Sequence, residues 1–129
     1  GKDYFPAQKE GKWGIFNAKG SAMVEAEYQS LVPADNGSFI ADKSDTIGVI
    51  DPKGNVVVPF SFNEIESIKG DLFLVKSNDK VGLYLNEKLI IPVQFDQIGV
   101  FDEDFLFLSK AGELLYYNIS KGNLIQLIE

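Results

Sequence analysis

With 129 residues, 45% of them hydrophobic, the chain can bury the core of one globular domain and needs no second one. Lys+Arg 12 against Asp+Glu 19 leave a formal net charge of -7, a field that repels phosphate backbones and anionic lipid surfaces and so argues against nucleic acid as a partner. Cys and His are both absent, which excludes disulfides, thiolate chemistry and the usual zinc and haem ligands, and no apolar run approaches the roughly 18–20 residues of a membrane span.

In chain order, Asp3-Tyr4-Phe5-Pro6-Ala7 reads as a strand and is followed by Lys12-Trp13-Gly14-Ile15-Phe16-Asn17-Ala18-Lys19-Gly20. That second stretch returns at Ile47-Gly48-Val49-Ile50-Asp51-Pro52-Lys53-Gly54, again at Val81-Gly82-Leu83-Tyr84, and in degenerate form at Leu114-Leu115-Tyr116-Tyr117-Asn118. Starts at 13, 47, 81 and 114 give spacings of 34, 34 and 33 residues, a period in the range of repeat architectures. Each copy begins with a strand that is apolar on both faces apart from its glycine, as expected of a strand covered on both sides by neighbouring repeats. Asn17 or Asp51 followed three places later by Gly20 or Gly54 is hairpin chemistry, an Asx side chain opening the turn and a glycine taking its positive φ. The third copy shortens this turn to Asn86-Glu87-Lys88 and the fourth lengthens it to Ile119-Ser120-Lys121-Gly122.

The second strands are Ala22-Met23-Val24, Val56-Val57-Val58, Leu89-Ile90-Ile91 and Leu124-Ile125, apolar and rich in β-branched residues. A connector follows in which Tyr28, Phe62 or Phe95 precedes Leu31, Ile65 or Ile98 by three residues, read here as a turn or a single helical turn pinned to the core by those two side chains. Third strands at Phe39-Ile40-Ala41, Leu72-Phe73-Leu74-Val75 and Phe105-Leu106-Phe107-Leu108 complete each unit. The sequence therefore divides into a third strand at 1–10, repeats at 11–45, 46–79 and 80–112, and a partial repeat at 113–129. An all-β domain of about four three-stranded antiparallel repeats is expected. Because the surplus strand at the start matches the one lacking at the end, a closed propeller-like or barrel-like ring is the preferred arrangement, and an open twisted meander or solenoid is the alternative.

Gly11-Lys12-Trp13-Gly14, the Gly14, Gly48, Gly82 column, the Phe16-Asn17 and Ile50-Asp51 pairs and Pro59 or Pro92 ahead of an aromatic together resemble the WG-repeat family, bacterial β-rich repeats named for their Trp-Gly pair. Trp is replaced at Ile47, Val81 and Leu114, and Gly at Leu115. The resemblance implies a scaffold or binding module without a shared chemistry.

Each candidate for chemistry has a packing explanation beside it. Gly14, Gly48 and Gly82 mark close approach of a neighbour, for which the connector aromatic Tyr28, Phe62 or Phe95 is expected. Trp13, Tyr84, Tyr116 and Tyr117 are candidates for stacking on a ligand, though their columns also hold aliphatic residues typical of a core. Asp102, Glu103 and Asp104 are the densest carboxylates and candidates for Ca²⁺, but lack the alternating spacing and the glycine of a calcium loop. Without His or Cys, and with no nucleophile-elbow or phosphate-loop motif, no catalytic residue and no cofactor is assigned. The expectation is a non-catalytic module, monomeric, that presents loops to a protein or glycan. A carboxylate-based hydrolase and a purely structural assembly unit are the alternatives. The chain begins at Gly1 rather than Met, which is compatible with a processed start and export to a periplasm or cell envelope.

Overall fold

The computed structural model describes residues 3–126. Gly1 and the end of the fourth copy at 127–129 lie outside the described residues. Fifteen strands and no helix are present among the described residues, gathered into four antiparallel meander sheets in the order β1-β2-β3, β4-β5-β6-β7, β8-β9-β10-β11 and β12-β13-β14-β15. All four predicted first strands form, as β2 (Lys12–Asn17), β6 (Thr46–Ile50), β10 (Lys80–Leu85) and β14 (Glu113–Asn118). The predicted third strands are β1 (Tyr4–Lys9), β5 (Phe39–Lys43), β9 (Leu72–Ser77) and β13 (Phe105–Lys110).

The connector is not a turn. The second strands run straight through it as β3 (Ala22–Tyr28), β7 (Val56–Phe62) and β11 (Lys88–Phe95), and after one residue the chain continues as β4 (Ser30–Pro33), β8 (Glu64–Lys69) and β12 (Gln97–Val100). Those single residues, Gln29, Asn63 and Asp96, are hinges at which the chain leaves one sheet and enters the next. Each hinge N–H already donates to the new sheet, Gln29 to the Asp42 carbonyl at 2.8 Å, Asn63 to that of Lys76 at 2.8 Å and Asp96 to that of Ser109 at 2.7 Å. Each hinge N–H is thus paired in crossing, which lets an extended hinge stand in place of the expected turn. The aromatic and the aliphatic flank the hinge as expected, with Tyr28, Phe62, Phe95 and Leu31 buried.

Sheets 2 to 4 are consequently four-stranded rather than three-stranded. Among the described residues the core divides into three clusters. One joins Ile15 and Val24 of sheet 1 to Phe39, Ala41 and Ile50 of sheet 2. The next joins Val49 and Val58 to Phe73 and Val75 of sheet 3, and the last joins Leu83 and Ile91 to Leu106, Leu108 and Tyr117 of sheet 4. Four sheets in a ring would need four such interfaces. The described residues form a row with three, and no barrel or propeller closes among them. β1 pairs with β2 alone, from Tyr4↔Asn17 to Lys9↔Lys12, so the N-terminal strand does not complete the fourth sheet as the ring required.

The face of a sheet on the side of the next sheet in this row is called forward here, and the opposite face backward, with the same columns naming the faces of the two end sheets. Along β2, β6 and β10 the forward positions are Ile15, Val49 and Leu83; Ile50 and Tyr84 are backward, and strand alternation puts Phe16 in the same column. A period-2 strand with both faces apolar is what this geometry demands, because each inner sheet is covered twice.

Candidate contact surfaces

The glycine column is explained by a bulge. On sheet 1, Trp13 pairs with Tyr28 and Ile15 with Val24, so the three residues Glu25, Ala26 and Glu27 oppose the single Gly14. The same occurs with Pro59, Phe60 and Ser61 opposite Gly48 and with Pro92, Val93 and Gln94 opposite Gly82. The folded-over strand fills the space where a Cβ would stand, which would lie 2.5 Å from the Val24 carbonyl oxygen at Gly14, 2.8 Å from the Phe60 ring and the Val58 oxygen at Gly48, and 2.7 Å from the Ile91 oxygen at Gly82. The expected neighbours, Tyr28, Phe62 and Phe95, are thus incorrect. The glycine meets the bulge of its own hairpin partner, because the bulge crest comes before the aromatic in the strand. Where Leu115 replaces glycine, β14 pairs with β15 (Asn123–Gln126) in unbroken register from Leu115↔Gln126 to Asn118↔Asn123 as far as the described residues run. Pro59 and Pro92 sit inside the bulges, where a missing N–H breaks no ladder bond.

The connector aromatics reach forward instead. Tyr28 stacks on Phe60 with ring centroids 6.1 Å apart, and Phe62 meets Tyr84 edge-on at 5.9 Å. Burial, then the neighbouring Glu27 carboxylate, holds the Tyr28 phenol above its ordinary pKa, against the opposing charge of Lys43.

The stacking candidates are not brought together. Trp13 packs against the first core cluster in sheet 1, Tyr84 against the second in sheet 3, and Tyr117 is buried in the third. Tyr116 and Tyr117 are consecutive in β14 and face opposite ways, Tyr117 backward into the core and Tyr116 forward. Tyr116 lines a groove of about 390 Å³ with Phe101, Phe105 and Ile125, and its ring meets Phe101 edge-on at 5.9 Å. Phe107 shares this forward face, its ring over Gly99, whose Cβ would lie 2.3 Å from it. Phe101 is 64% exposed and Leu114 48%. Phe101, Phe105, Phe107 and Ile125 escaped the sequence reading. The available signal was the unbroken apolar run 105–108, in a strand whose forward half has no covering sheet among the described residues.

The Asp102 carboxylate is committed to its own loop, where Oδ1 accepts the N–H groups of Asp104 at 2.8 Å and Phe105 at 2.9 Å. That places an Asx turn beside Phe101. Among the described residues no three acidic groups converge as an ion-holding cluster.

Asp51 and Asp96 carry displaced pKa values. Partial burial opposes the charge of Asp51, but hydrogen bonds from the Asn55 side chain and from the N–H groups of Asn55, Lys53 and Gly54 outweigh it and hold the carboxyl below its ordinary range. Asp96 is held low by the hydrogen bond from Lys80 and then by the Ala111 N–H at 3.0 Å. Its hinge side chain thereby caps the β13–β14 turn, where Ala111 takes a φ of 51°. Asn63 serves the previous hairpin identically, its Oδ1 accepting from the Asn78 N–H at 2.7 Å, with Asn78 at φ 58°. A second groove, of about 420 Å³, opens along this hinge edge between Glu64, Lys76, Asp96 and Gln97.

The model of the WG containing repeat matches residues 47–80 and 85–112. The chain is a WG-repeat protein. Both matched segments come from copies that lack tryptophan, and the second begins after Gly82, so the second strand, the hinge at Asn63 or Asp96 and the strands after it carry the family likeness more than the Trp13-Gly14 pair does. No curated protein and no solved structure matches the chain. Among the described residues of this WG-repeat chain no helix is long and apolar enough to cross a membrane.

Proposed function

We propose that this chain is a non-catalytic contact module whose working surface is the forward face of sheet 4, and that its ligand is a protein surface. The observation carrying this reading is the groove of Phe101, Phe105, Tyr116 and Ile125, an aromatic face with no covering sheet among the described residues, whereas the other three forward faces are covered by the next sheet. Exposed apolar patches of this kind mark interaction sites. A glycan is the weaker match, since the lining supplies one polar side-chain atom, the Tyr116 hydroxyl, where sugar hydroxyls need several partners. The hydrolase alternative finds no support at the hinge-edge groove, where Glu64 and Asp96 are the two carboxylates. A general acid needs a raised pKa, and Asp96 is held low by Lys80.

Titration with Nile red tests the reading, because the dye is neutral and unaffected by the net charge of -7. Its fluorescence should rise with the parent chain and fall at least about threefold with Tyr116→Ser or Phe101→Ser, while soluble oligosaccharides leave it unchanged. Dye binding that survives both substitutions would refute the assignment of the surface.

A further inference from the structure

We infer that the occupant of this forward face is the backward face of sheet 1 of a second copy, so that chains associate head to tail. This rests on the contact reading just given and names its partner. Three interfaces within the chain already show what covers a forward face. Ile15 and Val24 are met by Phe39, Ala41 and Ile50, and the pattern recurs twice, down to Leu83 and Ile91 against Leu106, Leu108 and Tyr117.

The terminal faces hold the same columns. Pairing places Tyr116 and Ile125 where Ile15 and Val24 stand in sheet 1, in the one forward face with no following sheet among the described residues. At the other end, Phe5 pairs with Phe16 as Phe39 pairs with Ile50, and Ala7 pairs with Gly14 as Ala41 pairs with Gly48. Phe5 is 47% exposed. The backward face of sheet 1 therefore repeats the residue pattern that fits a forward face, with nothing described behind it.

A lysine column supports the match independently. Lys43 reaches back over the previous repeat, 3.3 Å from Glu27 and 5.8 Å over the Tyr28 ring, and Lys110 lies 5.6 Å over the Phe95 ring and donates to Gln94. Pairing puts Lys9 in that column, whose sheet 3 member is Ser77; Lys9 is exposed and has no ion pair among the described residues.

Sheet 1 is three strands wide, so with strands about six residues long it limits the contact to roughly 300 Å², less than half of what each partner contributes to a standard specific interface. The association is accordingly weak, with a Kd on the order of 0.1–1 mM, and the chain is monomeric at low micromolar concentration. The two contacting faces differ, so the contact is heterologous and growth continues past the dimer.

Sedimentation velocity across a concentration series up to about 1 mM tests this, using the parent, Phe5→Asn and Leu114→Asn. Both substitutions are at exposed positions and leave the net charge unchanged, and circular dichroism checks that each variant folds. The parent should show species larger than dimers as concentration rises. Each variant alone should associate at least about tenfold more weakly, since a buried amide would lack partners. Because one variant keeps a good forward face and the other a good backward face, an equimolar mixture should form dimers of one copy of each and nothing larger. A parent that stays monomeric at about 1 mM, assembly that stops at a dimer of identical copies, or a mixture that forms no mixed dimer would overturn the inference. If the parent stays monomeric yet still binds Nile red in a Tyr116-dependent way, the self-pairing fails and the contact surface stands. Loss of both would remove the contact reading as well.

Discussion

Gly14 illustrates how one side chain's absence sets the local architecture. Three residues of β3 fold over it, and the nearest obstruction to a Cβ is a carbonyl oxygen at 2.5 Å, which no rotamer change can move aside. Gly14→Ala should therefore force the bulge open at about 1–3 kcal/mol, lowering Tm by roughly 5–10 °C, and Gly48→Val should cost at least as much. Gly54→Ala should cost only about 1 kcal/mol, for its φ of 91° and the light contact with Val24 Cγ2 at 3.3 Å. Differential scanning calorimetry ranks the three, and a Gly14→Ala protein melting within about a degree of the parent would show that the bulge yields without cost. The sequence announced that the glycine column was crowded. It did not announce by what, since a bulge is a matter of register and neither of its first two positions keeps one side-chain type in all three copies: Glu25, Pro59 and Pro92 stand at one, Ala26, Phe60 and Val93 at the next.

At the scale of elements, the hinge joins covalent continuity to a change of sheet, and its side chain fastens the crossing. Asp96 binds Lys80 and the N–H of the left-handed Ala111 at once. Because its folded pKa lies below the unfolded value, the stability it contributes is present above the ordinary carboxylate range and is lost as pH falls through the folded pKa. Asp96→Asn keeps an acceptor for Ala111 but removes the charge. Urea midpoints should show the variant less stable than the parent near pH 7, with the gap closing toward about pH 2–3; a gap of constant size would mean that the charge plays no part. Strand identity was legible in the chain, and so were the Asx turns at Asn17 and Asp51, which accept the N–H groups of Lys19 and Ser21 and of Lys53 and Asn55. The hinge was not legible, because an aromatic three residues before an aliphatic fits a helical turn as well as an extended segment whose two buried residues lie in different sheets.

For the whole molecule, three core clusters linked in sequence make stability a sum of sheets and of interfaces between neighbours. Deleting residues 1–10 removes β1, whose ladder is confined to β2, along with the edge-on contact of Tyr4 with Phe39. The truncated chain should stay monomeric at low micromolar concentration, unfold cooperatively, and lose no more than roughly 10 °C of Tm. Hydrogen exchange should leave protection in sheets 3 and 4 unchanged. Loss of cooperativity throughout, or strand-swapped dimers, would reinstate a ring. The ring expectation followed from counting strands, and counting could not reveal that the connectors supply one more strand to each of sheets 2 to 4.

The hinged strands also separate the unit of sequence from the unit of structure. A segment of one period, such as 46–79, contributes β6 and β7 to one sheet and β8 and β9 to the next, so its ends fall in different layers. Copying any window of one period within the gene, wherever the breakpoints fall, would then add one complete sheet, since whatever the cut removes from one layer the duplicate restores in the adjacent one. Unequal crossing-over can lengthen or shorten such a protein without finding a domain boundary first.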